Sequence, residues 1–221
     1  DGEIRPTSEF AITQAGFFLT NIGSYNGFIY SNGASNRIYK WDPCSGDLVG
    51  YIQLGGAPNE FDWGFFISKT GVIYVTHTES GLIWVINASD SDFINNTTFP
   101  AAKNLATDPA LTGIYTGQGL GGIVTDDAGN IYVVNAYTNS QVSGLNSRLI
   151  KLSPFPGMTY LGSTGADTSN DGVGWNWMLG LAYSSSSGKI YSSSRSPQEP
   201  CIYAWNADMT AVGPVVGVVA S

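Results

Sequence analysis

Catalytic chemistry has few candidate residues in this sequence of 221 residues. His77 is the single histidine, so any Ser-His-Asp triad requires it. A Gly-x-Ser-x-Gly elbow, which would present a nucleophile, does not occur, and neither does a zinc spacing, a phosphate loop or a Cys-x-x-Cys motif. The sequence therefore predicts no catalytic residue and no enzyme, and we expect His77 at the surface or rim of the fold.

One loop has half of the spacing of a calcium-binding loop. Oxygen-bearing side chains alternate at Asp167, Ser169 and Asp171, and Gly172 holds the sixth position. The twelfth position is Met178, where a bidentate Glu is needed. An Asx-rich turn accounts for the same residues. Calcium is thus the one cofactor that the sequence suggests, and these three residues are the ligands to test.

Aromatic side chains next to amides and carboxylates form the best candidate binding site. Flat apolar rings supply contact area for a glycan or a protein, while Asn and Asp supply direction. The candidates are expected on the face of the fold that carries the longer loops: Asp62, Trp63, Tyr137, Trp175, Asn176 and Trp177. The alternative is that Trp63 and Trp177 only close the mouth of the fold.

Three sequons of the Asn-x-Ser/Thr type are candidates for glycosylation. They begin at Asn87, Asn95 and Asn96, and they cluster in one long segment. Such triplets also arise by chance in a sequence rich in Asn, Ser and Thr. The sequons are therefore used only if the chain passes through a glycosylating secretory pathway.

An internal repeat must position these residues. The motif Gly-x-Ile-Tyr occurs four times, each time after a short apolar run opened by glycine and before a run of alternating character: Gly27 to Tyr30, Gly71 to Tyr74, Gly129 to Tyr132 and Gly188 to Tyr191. Short β-branched or aromatic runs bounded by Gly, Ser, Asn and Asp are typical of strands. Repeats of this length indicate solenoids or propellers.

The sequence thus predicts an all-β fold, a four-bladed β-propeller of four-stranded antiparallel blades. The predicted blades are residues 16–55, 63–116, 121–163 and 178–219, within one domain of residues 16–221. The first strand of the first blade is expected at Gly16 to Leu19, and the fourth strand of the second at Gly113 to Tyr115. Any short helix is expected between Phe99 and Leu111. Residues 1–15 are predicted to form an amino-terminal arm, in which residues 9–13 alternate like a strand.

The third unit, which runs from Gly122 to Asn135, resembles the NHL-repeat and gluconolactonase-like propellers. The run from Asn36 to Asp42 resembles the next strand of the same repeat. The resemblance implies a propeller fold, and for a lactonase it implies an axial metal held by acidic and amide side chains. Glu60 and Asn135 are the nearest candidates for such ligands. These superfamilies include enzymes, sensors and scaffolds, so the resemblance predicts fold rather than function.

The two cysteines fall at opposite ends of the predicted strands. Cys44 follows the third strand of the first blade, and Cys201 opens the third strand of the fourth. A strand of five or six residues spans about 17–20 Å, whereas a disulfide needs Cα atoms within about 7 Å. A bond inside the chain, a bond between stacked molecules and two free thiols all remain open.

Composition narrows the class of partner. The net charge is −8 and only 12% of residues are charged, so no basic surface is available for nucleic acid. No apolar run approaches the roughly 20 residues of a membrane span. Low charge with many small polar residues favours a secreted or cell-surface protein.

We therefore expect a secreted, non-enzymatic β-propeller with a structural or self-assembling role, including stacking into extracellular filaments. Two alternatives stay open. One is a lactonase-type hydrolase with an axial metal, and the other is a carbohydrate-binding module. Self-association is the expected partnership, with a glycan or protein ligand as the alternative.

Overall fold

The computed structural model describes residues 19–33, 36–56, 62–77, 80–115, 119–135, 148–164, 178–194 and 201–217. Over these ranges the chain is all-β, with four sheets that are antiparallel except for one short added strand. The predicted amino-terminal arm lies outside the described residues. No helix in the described ranges has the length and apolar character needed to cross a membrane.

Each sheet is built mainly from consecutive strands, as the repeat predicts. Sheet 1 contains β1 (Leu19–Tyr25), β2 (Phe28–Gly33), β3 (Arg37–Trp41), β4 (Leu48–Leu54) and β8 (Thr98–Phe99). Sheet 2 contains β5 (Asp62–Ile67), β6 (Ile73–His77), β7 (Leu82–Ile86) and β9 (Lys103–Asn104). Sheet 3 contains β10 (Leu120–Thr125), β11 (Ile131–Asn135), β12 (Arg148–Leu152) and β13 (Tyr160–Ser163). Sheet 4 contains β14 (Met178–Ser184), β15 (Lys189–Ser194), β16 (Cys201–Trp205) and β17 (Ala211–Gly217).

Of the first strand predicted at Gly16 to Leu19, only Leu19 lies within the described residues, where β1 runs from Leu19 to Tyr25. Asn26 and Gly27 have φ angles of 49° and 79° and connect Tyr25 directly to its partner Phe28. An Asn-Gly pair with two positive φ angles forms the tight hairpin turn that matches the twist of two strands. This turn sets the register of the hairpin between β1 and β2.

The segment between β7 and β10 differs most from the prediction. It forms the α-helix α1 (Asp90–Ile94), adds β8 to sheet 1 in parallel with β4, and then returns to sheet 2 as β9. The predicted helix range, 99–111, holds two 3-10 helices at Leu105–Thr107 and Pro109–Leu111. The predicted strand at 113–115 is wrong, since β9 takes the fourth place in sheet 2.

Helix α1 forms outside the predicted range because its ends are locally satisfied and one side chain is buried. Ser89 and Asp92 form a capping box at the first turn of the helix. The Asp92 carboxylate accepts hydrogen bonds from the backbone N–H and from the hydroxyl of Ser89. Phe93 is buried in the core between sheets 1 and 2. Lys40 pairs with Asp90, and its ammonium lies 3.8 Å from the ring centroid of Phe28. The segment between β7 and β10, named the crossing segment below, therefore packs on both of the first two sheets and holds them together.

The sheets pack in chain order through two kinds of face. The tyrosine face of each sheet carries the Tyr of Gly-x-Ile-Tyr, and the isoleucine face carries the Ile. Tyr30 packs with Ile73 of the next sheet in one core cluster, and Tyr74 packs with Ile131 in a second. Tyr132 and Ile190 share the third cluster. Each internal interface thus joins a tyrosine face to the isoleucine face of the following sheet.

The first strands of the sheets approach one another closely. A side chain at Gly64 of β5 would strike the Thr76 hydroxyl and the carbonyl oxygen of Gly121 in β10. The Thr76 hydroxyl donates to that same carbonyl at 2.7 Å. Glycine is required here because the two backbones leave no room for a Cβ.

Candidate functional site

Two faces remain at the ends of the series of sheets. These are the isoleucine face of sheet 1 and the tyrosine face of sheet 4. Successive contacts join β1 to β5, β5 to β10 and β10 to β14, but among the described residues no comparable contact joins β14 to β1. The two terminal faces are therefore the candidate site, and their residues can be compared with those of the internal interfaces.

The isoleucine face of sheet 1 repeats the residues of the isoleucine face of sheet 4. In sheet 4, the strand partners Leu181, Ser192 and Tyr203 share this face with Ile190 and Trp205. The register of sheet 1 puts chemically matching residues at the same places: Ile22, Ser31, Tyr39, Ile29 and Trp41.

The local geometry is repeated as well. The indole Nε1 of Trp205 donates to the Ser192 hydroxyl at 2.9 Å, and that of Trp41 donates to the Ser31 hydroxyl at 2.9 Å. The Tyr203 and Trp205 ring centroids lie 6.4 Å apart. The corresponding pair in sheet 1, Tyr39 with Trp41, lies 6.0 Å apart. Sheet 1 thus carries a preformed packing surface of the type that sheet 4 uses internally.

Burial separates the two copies of this surface. Trp205 and Ile190 are fully buried against sheet 3, and Leu181 packs on the same cluster. Trp41 is only half-buried, and Ile22 is 72% exposed. Ile29 is half-buried as well, whereas Tyr39 and Ser31 of the same face are buried. The part of this face formed by Ile22, Ile29 and Trp41 is therefore less covered than its counterpart in sheet 4.

The tyrosine face of sheet 4 shows the reciprocal difference. In sheet 3 the corresponding side chains, Val124, Tyr132, Val134 and Leu149, are all buried against sheet 4. Their counterparts in the register of sheet 4 are Ala182, Tyr191, Ser193 and Ile202. Ile202 is 40% exposed where Leu149 is fully buried. Each end of the molecule exposes what an internal interface would cover.

A separate pocket of about 370 Å³ lies beside the hairpin turns of sheets 2 and 3. The rings of Phe66, Tyr74 and Tyr183 line it. At its rim the Lys69 ammonium lies 3.1 Å from Asp127, and the Tyr183 hydroxyl donates to the same carboxylate at 3.1 Å. Aromatic faces with one ion pair suit a small polar ligand.

The carboxylate of the neighbouring Asp126 has a structural role in the hairpin turn. Its carboxylate accepts bonds from the backbone N–H groups of Ala128 and Asn130 and from the Asn130 amide, which closes the turn. The Tyr132 hydroxyl lies 3.1 Å from the same carboxylate. Burial, reinforced by the Asp126 charge, raises the pKa of Tyr132 well above its usual range. This network is structural, so Asp127 is the carboxylate that a ligand could reach.

His77 is buried, which corrects the expectation of a surface or rim position. It ends β6, and its Nδ1 lies 3.0 Å from the Ser80 hydroxyl and accepts from the Ser80 N–H at 3.3 Å. Its ring makes an edge contact with Trp84. The histidine therefore stabilises the connection between β6 and β7.

Most of the predicted binding residues lie outside the described residues. Tyr137, Trp175, Asn176 and Trp177 belong to that group, as do the calcium candidates Asp167, Ser169 and Asp171. Asp62 and Trp63 begin β5. Asn135 is buried at the end of β11. In the part of the chain that the structure describes, no group of three or more His, Cys, Asp or Glu residues is arranged to hold a metal ion.

Cys44 is a free, exposed cysteine in the turn between β3 and β4. Cys201 opens β16, where its backbone pairs with Ser194 and Gly217.

The three sequon asparagines are exposed. Asn87 follows β7, and Asn95 and Asn96 follow α1. All three belong to the crossing segment that fastens sheet 1 to sheet 2.

Comparison with known proteins supports the fold alone. No family model and no curated protein matches the sequence. The computationally designed Ika4 protein matches with 9% identity and a TM-score of 0.54, over 89% of this chain and 95% of that one. A protein of unknown function from Bacteroides caccae matches with 14% identity and a TM-score of 0.59, over 91% of this chain and 62% of that one.

A third solved structure is an extracellular domain assigned to a one-component system of B. thetaiotaomicron. It matches with 14% identity and a TM-score of 0.57, over 92% of this chain and 25% of that one. The chain therefore spans less than two thirds of the length of each of these two proteins. None of these three is named as an NHL-repeat or gluconolactonase protein. The class that the fold defines is an all-β protein of four successive sheets.

The Gly-x-Ile-Tyr motif does not indicate the terminal faces, because all four units contain it. A signal was present, since Ile-Tyr-Lys-Trp at 38–41 and Ile-Tyr-Ala-Trp at 202–205 share three of four residues. The second and third units have no tryptophan at the last of these positions. The pattern thus marked the first and fourth sheets as alike before either was placed.

Proposed function

We propose that this protein is a non-enzymatic β-propeller whose role is structural and whose units associate with one another. The observation that carries the proposal is the terminal isoleucine face of sheet 1. It holds the residues of an internal packing surface, yet Ile22 is 72% exposed. Exposed apolar surface of this kind marks a site of association.

A propeller accounts for the order in which the sheets pack. Sheets 2 and 3 each bury one face on the preceding sheet and one on the following sheet, and the first strands of consecutive sheets lie next to one another. Repeated sheets arranged in this way stabilise one another only when every face is covered. The two uncovered ends therefore favour completion by further sheets.

A secreted location is part of the proposal. The chain has a low content of charged residues, and the sequon residues Asn87, Asn95 and Asn96 are exposed. Cys44 is exposed as well, so it is available for a disulfide between molecules in an oxidising compartment. Filaments with such a bond at each junction are the covalent form of the proposed assembly.

Electron microscopy and light scattering of the wild-type chain test the proposal. We expect particles larger than one chain at micromolar concentration, as closed oligomers or as fibres. Non-reducing electrophoresis adds the covalent test, in which multimers that disappear on reduction indicate intermolecular disulfides. A monomer at every concentration, with and without reductant, would contradict the structural role.

The pocket beside Asp127 supports a second candidate function, the binding of a small carbohydrate. Its aromatic lining and the Lys69–Asp127 pair offer stacking surface and hydrogen bonds in one place. A glycan array with wild-type protein and Asp127→Ala tests it. Equal signals from both proteins, or none from either, would exclude this pocket as a glycan site.

A further inference from the structure

We propose that the isoleucine face of sheet 1 docks on the tyrosine face of sheet 4 from a second copy of the chain. The inference rests on the proposed self-association and names the two surfaces that meet. The template is the interface between sheets 3 and 4, where a tyrosine face already packs on an isoleucine face of this composition. The second copy continues the same order of faces that the chain uses internally.

The match between template and proposed contact can be followed residue by residue. Leu181 packs on the cluster that contains Val124, and the strands β14 and β10 that carry them are in contact. In the proposed contact Ile22 takes the place of Leu181, and Ala182 of the second copy takes the place of Val124. Both are exposed, so neither has to leave a core.

The contact is weaker than its template. Ala182 and Ser193 replace the larger apolar residues Val124 and Val134 on the receiving face. Less apolar area is removed from water, and association also costs translational and rotational freedom. We therefore expect a concentration-dependent assembly rather than a permanent one.

The symmetry of the contact determines the product. The two surfaces are different, so the interface is heterologous, and each new copy again presents one free face of each kind. Such contacts continue until the rotation closes a ring, and otherwise they form a fibre. The same two faces dock on each other whichever product forms.

Site-specific cross-linking tests it. The background is Cys44→Ser with Cys201→Ser, so that no native thiol reacts. One population carries Ile22→Cys and the other carries Ala182→Cys; the two are mixed and treated with a short bismaleimide. We expect a cross-linked pair containing one chain of each population, with at least a tenfold lower yield when Leu161→Cys replaces Ile22→Cys. Leu161 is a fair control because it is 53% exposed and lies on β13, away from both faces.

The outcomes separate the inference from the proposed function. Assembly by light scattering with no cross-link between positions 22 and 182 would overturn the inference and leave self-association standing. A chain carrying both cysteines that cross-links only within itself would also overturn it, since the chain would then close its own ring. Absence of assembly in every variant would overturn both proposals.

Discussion

Ile22 occupies in the first sheet the position that Leu181 occupies in the fourth. Each faces a serine across the first pair of strands, Ser31 for Ile22 and Ser192 for Leu181. Leu181 packs on sheet 3, whereas Ile22 is 72% exposed. The same pairing of an aliphatic residue with a serine thus occurs once at an internal interface, in sheet 4, and once on a terminal face, in sheet 1.

Phe93 is expected to hold the crossing segment on sheet 1. Its side chain is 1% exposed, and Phe93→Ala removes a whole ring from the core cluster. We expect a loss of about 3 kcal/mol in the free energy of unfolding, measured by urea denaturation. Ile94→Ala is the matched control, because its side chain is 64% exposed, and a change of at most about 0.5 kcal/mol is expected. Equal losses in the two variants would show that the segment is not anchored by Phe93.

Gly64 is expected to tolerate no side chain. In Gly64→Ala the new Cβ meets the carbonyl of Gly121, which is backbone and cannot turn away. The strands β5 and β10 must separate, and the bond from Thr76 to Gly121 weakens. We expect a loss of about 1–3 kcal/mol in urea denaturation. Gly157→Ala is the control, since its nearest neighbour is the Ser153 hydroxyl at 3.2 Å. A stability equal to that of the control would refute the close approach.

Asp108 is expected to contribute to the acid dependence of stability. Its bond from the Lys103 ammonium, with a further bond from the Ala110 N–H, holds the pKa of Asp108 below its ordinary value of 3.8. The contribution of this carboxylate to the free energy of unfolding is fully present above pH 3.8, where the unfolded chain is also ionised. It is lost as the pH falls through the lower pKa that Asp108 has in the folded chain. Asp108→Asn keeps the oxygen that accepts from Ala110 and removes the charge.

The measurement is the free energy of unfolding between pH 2 and pH 7. We expect it to fall less steeply below pH 4 in Asp108→Asn than in the wild type. Lys69→Met is the control, because the Lys69–Asp127 pair is exposed on both sides and such pairs contribute little. If the free energy of unfolding of Asp108→Asn ran parallel to that of the wild type across this pH range, Asp108 would not contribute to the acid dependence.

The sequence predicted the four sheets because each Gly-x-Ile-Tyr lies in a strand between two hairpin connections. The turn at Asp126 to Asn130 is local in the same way, since its residues carry their own turn chemistry. Residues 20–25 of β1 were not predicted as strand, and Asn26 with Gly27 forms the turn that sets their pairing with β2.

The crossing segment and the terminal faces could not be predicted in the same way. Strand β8 has two residues and pairs with a strand of another unit, so no local period announces it. The likeness of Trp41 to Trp205 acquires meaning only when the partner sheet of each is known. Contacts between units depend on the order of the sheets, which a pattern within one unit does not contain.

The amino-terminal arm is expected to affect association more than folding. Residues 9–13 alternate like a strand, and the fourth sheet already has its outer strand in β17. Deletion of residues 1–13 should shift the association midpoint to higher concentration while the urea midpoint stays unchanged. The reverse result, unchanged association with lost stability, would assign the arm to the core of its own molecule.

Light scattering of Ile22→Asp beside Leu161→Asp tests the central claim most directly. Both variants place a carboxylate at an exposed apolar position, but only the first lies on the proposed docking face. Burial of an unpaired charge is strongly unfavourable. Ile22→Asp should therefore remain a monomer at concentrations at which the wild type and Leu161→Asp assemble. Assembly of Ile22→Asp with the same midpoint as the wild type would contradict the account.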